Sequence, residues 1–239
     1  NTSQRALLNW GYNAWGEKYP PYDLDNAVPE HIASVRGLPC FTPDMILEGG
    51  SIEVNGQGTL ITTESCLLNP NRNPALDRAA IEQRLSDYLG VRKVLWLGEG
   101  IAGDDTDGHV DDLTRFVDAQ IVVTAVEPDP QDPNHTPLQA NLQRLQAMCT
   151  QDGDSLRVIE LPMPKPVLDQ GERLPASYAN FYIGNRTVLM PAFGQSRDAD
   201  AQAILQQCFP SRRVLPLDST DLIRGLGSFH CLTQQEPWG

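Results

Sequence analysis

One order of elements, two short strands followed by a helix and a third strand, recurs along this chain and limits its fold more than any other feature. The first unit starts at Leu47-Glu48-Gly49-Gly50-Ser51-Ile52-Glu53-Val54, turns at Asn55-Gly56-Gln57-Gly58 and returns as Thr59-Leu60-Ile61-Thr62-Thr63. A glycine-bearing turn between two short apolar runs predicts a hairpin. Residues 74–89 follow with Ala75, Leu76, Ala79, Ile81 and Leu85 as a helical stripe, and residues 91–97 come back as a strand. The same order is predicted from Gly108-His109-Val110-Asp111 through a turn at Asp118-Ala119-Gln120, with a helix over 137–148 and a strand over 156–161. A third copy opens at Ala176-Ser177-Tyr178-Ala179-Asn180-Phe181-Tyr182-Ile183, turns at Gly184-Asn185-Arg186, and continues with a helix over 199–208 and a strand over 213–217. A fourth opens at Gly227-Ser228-Phe229-His230-Cys231 and has no continuation in the sequence.

Units of this kind bury an apolar face only when stacked on neighbours, which predicts an α/β ring or propeller, incomplete in this chain. Corresponding positions at the opening of each unit are polar: Glu48, His109 with Asp111, Asn180 and Cys231. In a ring those positions converge on the axis. Residues far apart in sequence would then share one pocket.

No linker divides the 239 residues, so a single domain over 1–239 is expected. The absence of an apolar run near the ~18 residues of a membrane span argues against a membrane protein. Eighteen Lys and Arg against 31 Asp and Glu give a net charge of -13, which disfavours a nucleic-acid partner and suits a small cation entering a cleft. Five scattered cysteines without a C-x-x-C pair fit free thiols in a reducing, cytoplasmic compartment. Gly98-Glu99-Gly100-Ile101-Ala102-Gly103 is followed by Asp104-Asp105-Thr106-Asp107, which would repel phosphates, so no nucleotide site is expected. The acidic stretch from Asp104 to Asp112 has no calcium-loop pattern and no zinc spacing. It is expected to be a solvated loop with one or two functional members and no metal.

The chemistry these residues predict is covalent. A thiol becomes a nucleophile when ionised, a histidine can shuttle its proton, and paired carboxylates grip a planar guanidinium. Cys231 with His109 and two carboxylates therefore describes attack on a guanidinium carbon. His230, next to Cys231 in an expected strand, should point to the opposite face. Cys66 and Cys208 are read as packing, Cys40 and Cys149 as surface or half-buried thiols, and His31 and His135 as surface residues. Asn69-Pro70-Asn71-Arg72-Asn73-Pro74 is read as a helix-entry turn. No role is assigned to Glu53.

Six segments, in order along nearly the whole chain, resemble agmatine deiminases of the guanidine-modifying superfamily, which also holds the arginine deiminases and bacterial peptidylarginine deiminases. They are Trp10-Gly11-Tyr12-Asn13-Ala14-Trp15-Gly16, Leu47 to Ser51, Leu68 to Pro74, Thr106-Asp107-Gly108-His109-Val110-Asp111, Ala176 to Tyr182, and His230 to Pro237. The resemblance implies a pentein-type α/β propeller, without metal or cofactor, that hydrolyses agmatine to N-carbamoylputrescine and ammonia. It implies Cys231 as nucleophile, His109 as general acid and base, Glu48 and Asp111 as guanidinium ligands, and Asn180 and Trp15 as substrate-binding residues. Relatives carry an earlier segment with a further guanidinium-binding Asp, so a separate N-terminal chain, or a homo-oligomer, is an expected partner beside the small guanidino substrate. Two alternatives stay open: a peptidylarginine or arginine deiminase, and an inactive pentein module that only binds.

Overall fold

In the computed structural model, which describes residues 5–236, the chain opens with β1 (Leu7–Leu8) lying parallel to β2 (Cys40–Phe41). Between them come a helical turn, α1 (Ala14–Glu17), and a helix, α2 (Asp23–Arg36). Helix α2 is not among the predicted elements; Leu24, Val28, Ile32 and Val35 fall at helical spacing along it but are exposed, and Ala33 is its only buried residue.

The three predicted units are present. The first is β3 (Ile52–Val54), β4 (Thr59–Thr63), the short α3 (Glu64–Leu67), α4 (Arg78–Leu89) and β5 (Lys93–Leu97), with β4 antiparallel to β3 and parallel to β5. The second is β6 (Thr114–Asp118), β7 (Ile121–Val126), α5 (His135–Gln146) and β8 (Arg157–Pro162), paired in the same way. After a small hairpin of β9 (Leu168–Asp169) and β10 (Glu172–Arg173), the third unit follows as β11 (Tyr182–Ile183), β12 (Thr187–Ala192), α6 (Arg197–Cys208) and β13 (Arg213–Asp218). Each parallel pair is bridged by its helix, as a crossover requires.

Local chemistry sets these boundaries. Asp77 caps α4 by accepting the Ala80 amide at 2.8 Å, and Gly90 ends the helix with a left-handed φ of 67°. Ile81 and Leu85, one turn apart, bury the helix against its sheet. Neighbouring units share their cores. Ile61, Leu95 and Leu97 of the first pack with Val110, Phe116, Val122 and Leu145 of the second. Val123 and Leu161 of the second pack with Phe181, Val188 and Leu205 of the third.

The opening strands are shorter than predicted. Residues Gly49–Ser51 and Val110–Asp112 are 3-10 turns, and the strands begin only at Ile52, Thr114 and Tyr182. The predicted fourth opening is not a strand either: residues 229–232 form a turn. Side chains brace these turns in place of a ladder: Ser51 donates to the Glu48 carbonyl, Ser177 to the Asp112 carbonyl, and Asn180 accepts the amides of Ser228, His230 and Cys231. No helix among the described residues is long and apolar enough to cross a membrane.

Candidate active site

Each unit delivers its polar residues on the turn that leads into its first strand. Glu48 is extended, and its carbonyl accepts the Ser51 hydroxyl at 2.6 Å, which fixes the first turn. His109 precedes the 3-10 turn Val110–Asp112, and the Asp112 carbonyl accepts the Ser177 hydroxyl at 2.7 Å, joining the second lead-in to the third. Asn180 stands two residues before β11.

Asn180 organises the turn that carries Cys231. Its side-chain oxygen accepts the amides of Ser228 at 3.2 Å, His230 at 3.1 Å and Cys231 at 3.3 Å. Its amide nitrogen lies 3.0 Å from Cys231 Sγ and 3.1 Å from Asp111 Oδ2. The same Asp111 oxygen is 2.7 Å from His230 Nδ1 and 3.5 Å from the sulfur. Thus Cys231, Asp111, Asn180 and His230 form one connected cluster across 120 residues of sequence.

His109 Nε2 stands 4.0 Å from Glu48 Oε2. Both atoms are buried without a hydrogen-bond partner, as is Asp111 Oδ1. Buried polar atoms are nearly always satisfied, so these three, in neighbouring turns, call for a polar partner such as water or a ligand. Gly50 allows the close approach. A Cβ there would fall 2.6 Å from His109 Nδ1 and 3.0 Å from Asp111 Oδ2.

Two groups here also have the donor set of a cation site: Glu48, Cys66 and His109, and Asp111, Asp112 and Cys231, each with ligand atoms within 4.8 Å of one another. Their spacing along the chain gave no sign of this. A shallow groove of about 660 Å³ lined by Ser65, Asp104, Gly108 and Asn134 contains none of Glu48, His109, Asp111, Asn180 or Cys231.

The electrostatics of the cluster are uneven. Burial, then the charges of Asp111 and Asp112, push the Cys231 thiol far up, against the Asn180 hydrogen bond. Cys231 keeps an open outer side while its sulfur is sunk among these groups. For Asp111 burial opposes ionisation, but the His230 hydrogen bond and the two imidazoles outweigh it and hold the carboxyl below its usual range. For Asp112 burial and the charges of Asp111 and Asp104 act together, raising it well above that range. Burial also raises the Cys66 thiol, which packs in the core as expected.

Four sequence readings need correction. His230 does not face away from the site, because the segment is a turn and strand alternation does not apply. Asp112, overlooked, is a buried neighbour of the sulfur. The acidic stretch is not a solvated loop: Asp104 accepts the amides of Thr106, Gly108 and His109, and Asp107 pairs with Lys18 and Arg72. Glu53, left without a role, is buried and binds Arg115 at 2.8 Å. Trp15 sits on the loop whose Gly16 comes up against Asn71 and the Arg72 guanidinium that binds Glu48. Half-buried, it meets the rings of Tyr12 and Tyr19 edge-on on a loop tied to Asn71 through Asn13. The last motif's Pro237 lies outside the described residues.

Comparison with known proteins gives one consistent set. A family model described as Porphyromonas-type peptidyl-arginine deiminase matches residues 1–237. An agmatine deiminase of Pseudomonas fluorescens is 41% identical over 253 residues, covering 96% of this chain and 69% of that protein. The structure of the agmatine deiminase of Enterococcus faecalis is similar with a TM-score of 0.94 at 37% identity, over 98% of this chain and 70% of that one. A C. jejuni agmatine deiminase variant with substrate bound is similar with a TM-score of 0.89 at 34% identity, over 95% and 67% of the two chains. At 16% identity and a TM-score of 0.51, the enzyme DDAH of Pseudomonas aeruginosa shares the α/β pentein fold.

Proposed function

The chain belongs to the family of Porphyromonas-type peptidyl-arginine deiminases, and from that membership and the site's geometry we propose that it hydrolyses agmatine to N-carbamoylputrescine and ammonia. The supporting observation is the set of unpartnered acceptors. Glu48 Oε2, His109 Nε2 and Asp111 Oδ1 are buried and unsatisfied, and the other oxygen of Asp111 lies 3.5 Å from the Cys231 sulfur. A guanidinium, with five N–H donors in a plane and one positive charge, supplies what a pair of carboxylates lacks.

In this reading Glu48 and Asp111 hold the guanidinium while Cys231 faces its central carbon. The thiol, kept protonated by burial and two carboxyl neighbours, ionises when the cation arrives and offsets that field. The Cys231 sulfur then forms a bond to the guanidinium carbon, and His109 passes the thiol proton to the departing nitrogen, which leaves as ammonia. His109 next takes a proton from water, whose oxygen attacks the thiouronium carbon. Breaking the C–S bond releases the ureido product and regenerates the thiol. Asn180 orients the sulfur and its turn. Trp15 and the rings beside it are assigned to the substrate's methylene tail. The three stacked units are read as a sector of a pentein propeller with these turns at its axis, and intact mass of the native protein reports whether further polypeptide completes the ring.

The deciding experiment compares agmatine with a peptide ending in arginine, following ureido product and ammonia, with Cys231→Ala as control. Agmatine should be preferred and Cys231→Ala should abolish turnover. Preference for the peptide would overturn the substrate, and turnover by Cys231→Ala would overturn the mechanism.

A further inference from the structure

The motif Asn69 to Pro74 is more than a helix-entry turn, because it sends a guanidinium of the protein itself into the core. The Arg72 side chain has no solvent exposure, whereas arginine is almost never fully buried unless paired. All three of its nitrogens are engaged. Nε donates to Glu48 Oε1 at 2.6 Å, Nη1 to Asn71 Oδ1 at 2.8 Å and Asp107 Oδ2 at 2.6 Å, and Nη2 to the Thr106 carbonyl at 2.8 Å. The rest of the turn grips the same two segments. Asn73 exchanges two hydrogen bonds of 2.9 Å with the Ile46 backbone, just ahead of Glu48, and Asn71 donates to Asp107 at 2.9 Å, just ahead of His109.

The consequence lies in which Glu48 oxygen is left over. Arg72 occupies Oε1, so Oε2 alone is unpartnered, 4.0 Å from His109 Nε2. We propose that Arg72 is a positioning residue that presets the Glu48 carboxylate and the His109 lead-in against each other before the substrate cation arrives. This rests on the reading of Glu48 as a guanidinium ligand. A planar fork can hold the Glu48 carboxylate on one side and the Thr106 carbonyl with the Asp107 carboxylate on the other. A lysine ammonium cannot span both.

The test uses Arg72→Lys and Arg72→Gln, alone and combined with Glu48→Gln. Steady-state kinetics with agmatine are read beside the labelling rate of Cys231 by two reagents, neutral iodoacetamide and a cationic chloroacetamidine. Arg72→Lys should lower kcat/KM about 100-fold, the scale of a misplaced binding group, and Arg72→Gln further. In the Glu48→Gln background either change should cost no more than about threefold, because both substitutions break one unit. Labelling by the cation should fall with Arg72, while labelling by iodoacetamide stays within about twofold of wild type, since the sulfur's own neighbours are untouched. Multiplying effects in the double variants, or parallel loss of both labelling reactions, would overturn the proposal. Should the Arg72 variants not fold, Asp107→Asn loosens the clamp from its other end. A roughly tenfold loss with the same labelling selectivity is then expected, and unchanged kinetics refute the clamp. A wild-type protein that is labelled by the cation at Cys231 yet does not turn over agmatine counts against the substrate, not the clamp, which the labelling comparison still decides.

Discussion

Asp111 and Asp112 are adjacent in one turn and fully buried, yet they are driven in opposite directions. Against its burial, the His230 hydrogen bond and the charges of His109 and His230 hold the Asp111 carboxyl below its usual range, whereas the Asp112 carboxyl, facing that charge, is pushed well above it by burial first and by Asp111 and Asp104 next. Two carboxylates this close cannot both ionise cheaply. For Asp112 the folded state retains a proton that the unfolded chain releases near pH ~4, so its contribution to stability is complete below that pH and is lost as pH rises through the raised folded value. Asparagine at this position cannot ionise. Asp112→Asn is therefore expected to gain Tm relative to wild type as pH increases, with a larger difference near pH ~8 than near pH ~4. Thermal unfolding followed across that range checks it. A difference that does not vary with pH would show that Asp112 is an ordinary ionised carboxylate.

Between elements, the clearest device is the pair Glu53 and Arg115, which joins all three units. Glu53 on β3 accepts Arg115 Nε at 2.8 Å and the Phe116 amide at 2.9 Å from β6, while Arg115 Nη1 donates to the carbonyls of Ala179 at 3.0 Å and Phe181 at 2.8 Å. Those two carbonyls flank Asn180, so the clamp also sets the residue that holds the Cys231 turn. Glu53→Ala strands a buried guanidinium and should cost about 3–5 kcal/mol, while Glu53→Gln, which keeps an acceptor, should cost less. Denaturant titration separates the two, and equal small losses would mean that the pair is incidental. How much of this was legible follows from what is local. Helices α4, α5 and α6, the strands after each turn and the repeat itself were readable from period and glycine-bearing turns. The opening strands were drawn too long, because apolar residues such as Val110 and Tyr178 alternate with polar ones although the backbone is turned there. Pairings that span 24 residues, as in Arg72 with Glu48, or 62, as in Arg115 with Glu53, leave no local signal. The contact of His230 with Asp111 was hidden for the same reason.

At the scale of the whole molecule, the units share part of their cores: the first keeps a cluster of its own around Leu60, Ile81 and Leu85, and a further cluster crosses from it into the second. Leu145, fully buried on α5, packs with Ile61, Leu95 and Leu97 from the preceding unit, and the same cluster contains Val110 and Phe116, which bracket Asp111 in sequence. A repeat array whose interfaces carry the apolar burial unfolds as one body when those interfaces are strong relative to each unit, and piecewise when they are weak. Three-stranded sheets with one helix are too small to bury enough apolar surface alone, which places this chain in the first class. Leu145→Ala should therefore cost about 2–5 kcal/mol, from lost burial plus the cavity left behind, and the loss should shift a single transition. Far-UV circular dichroism and the exposure of the Cys231 thiol to a neutral reagent, followed along one denaturant titration, should move together to lower concentration by the same amount. If the thiol signal kept its midpoint while the circular dichroism curve split, the second unit would be melting by itself, and the turns that carry Glu48, Asp111 and Cys231 would not owe their arrangement to stacking.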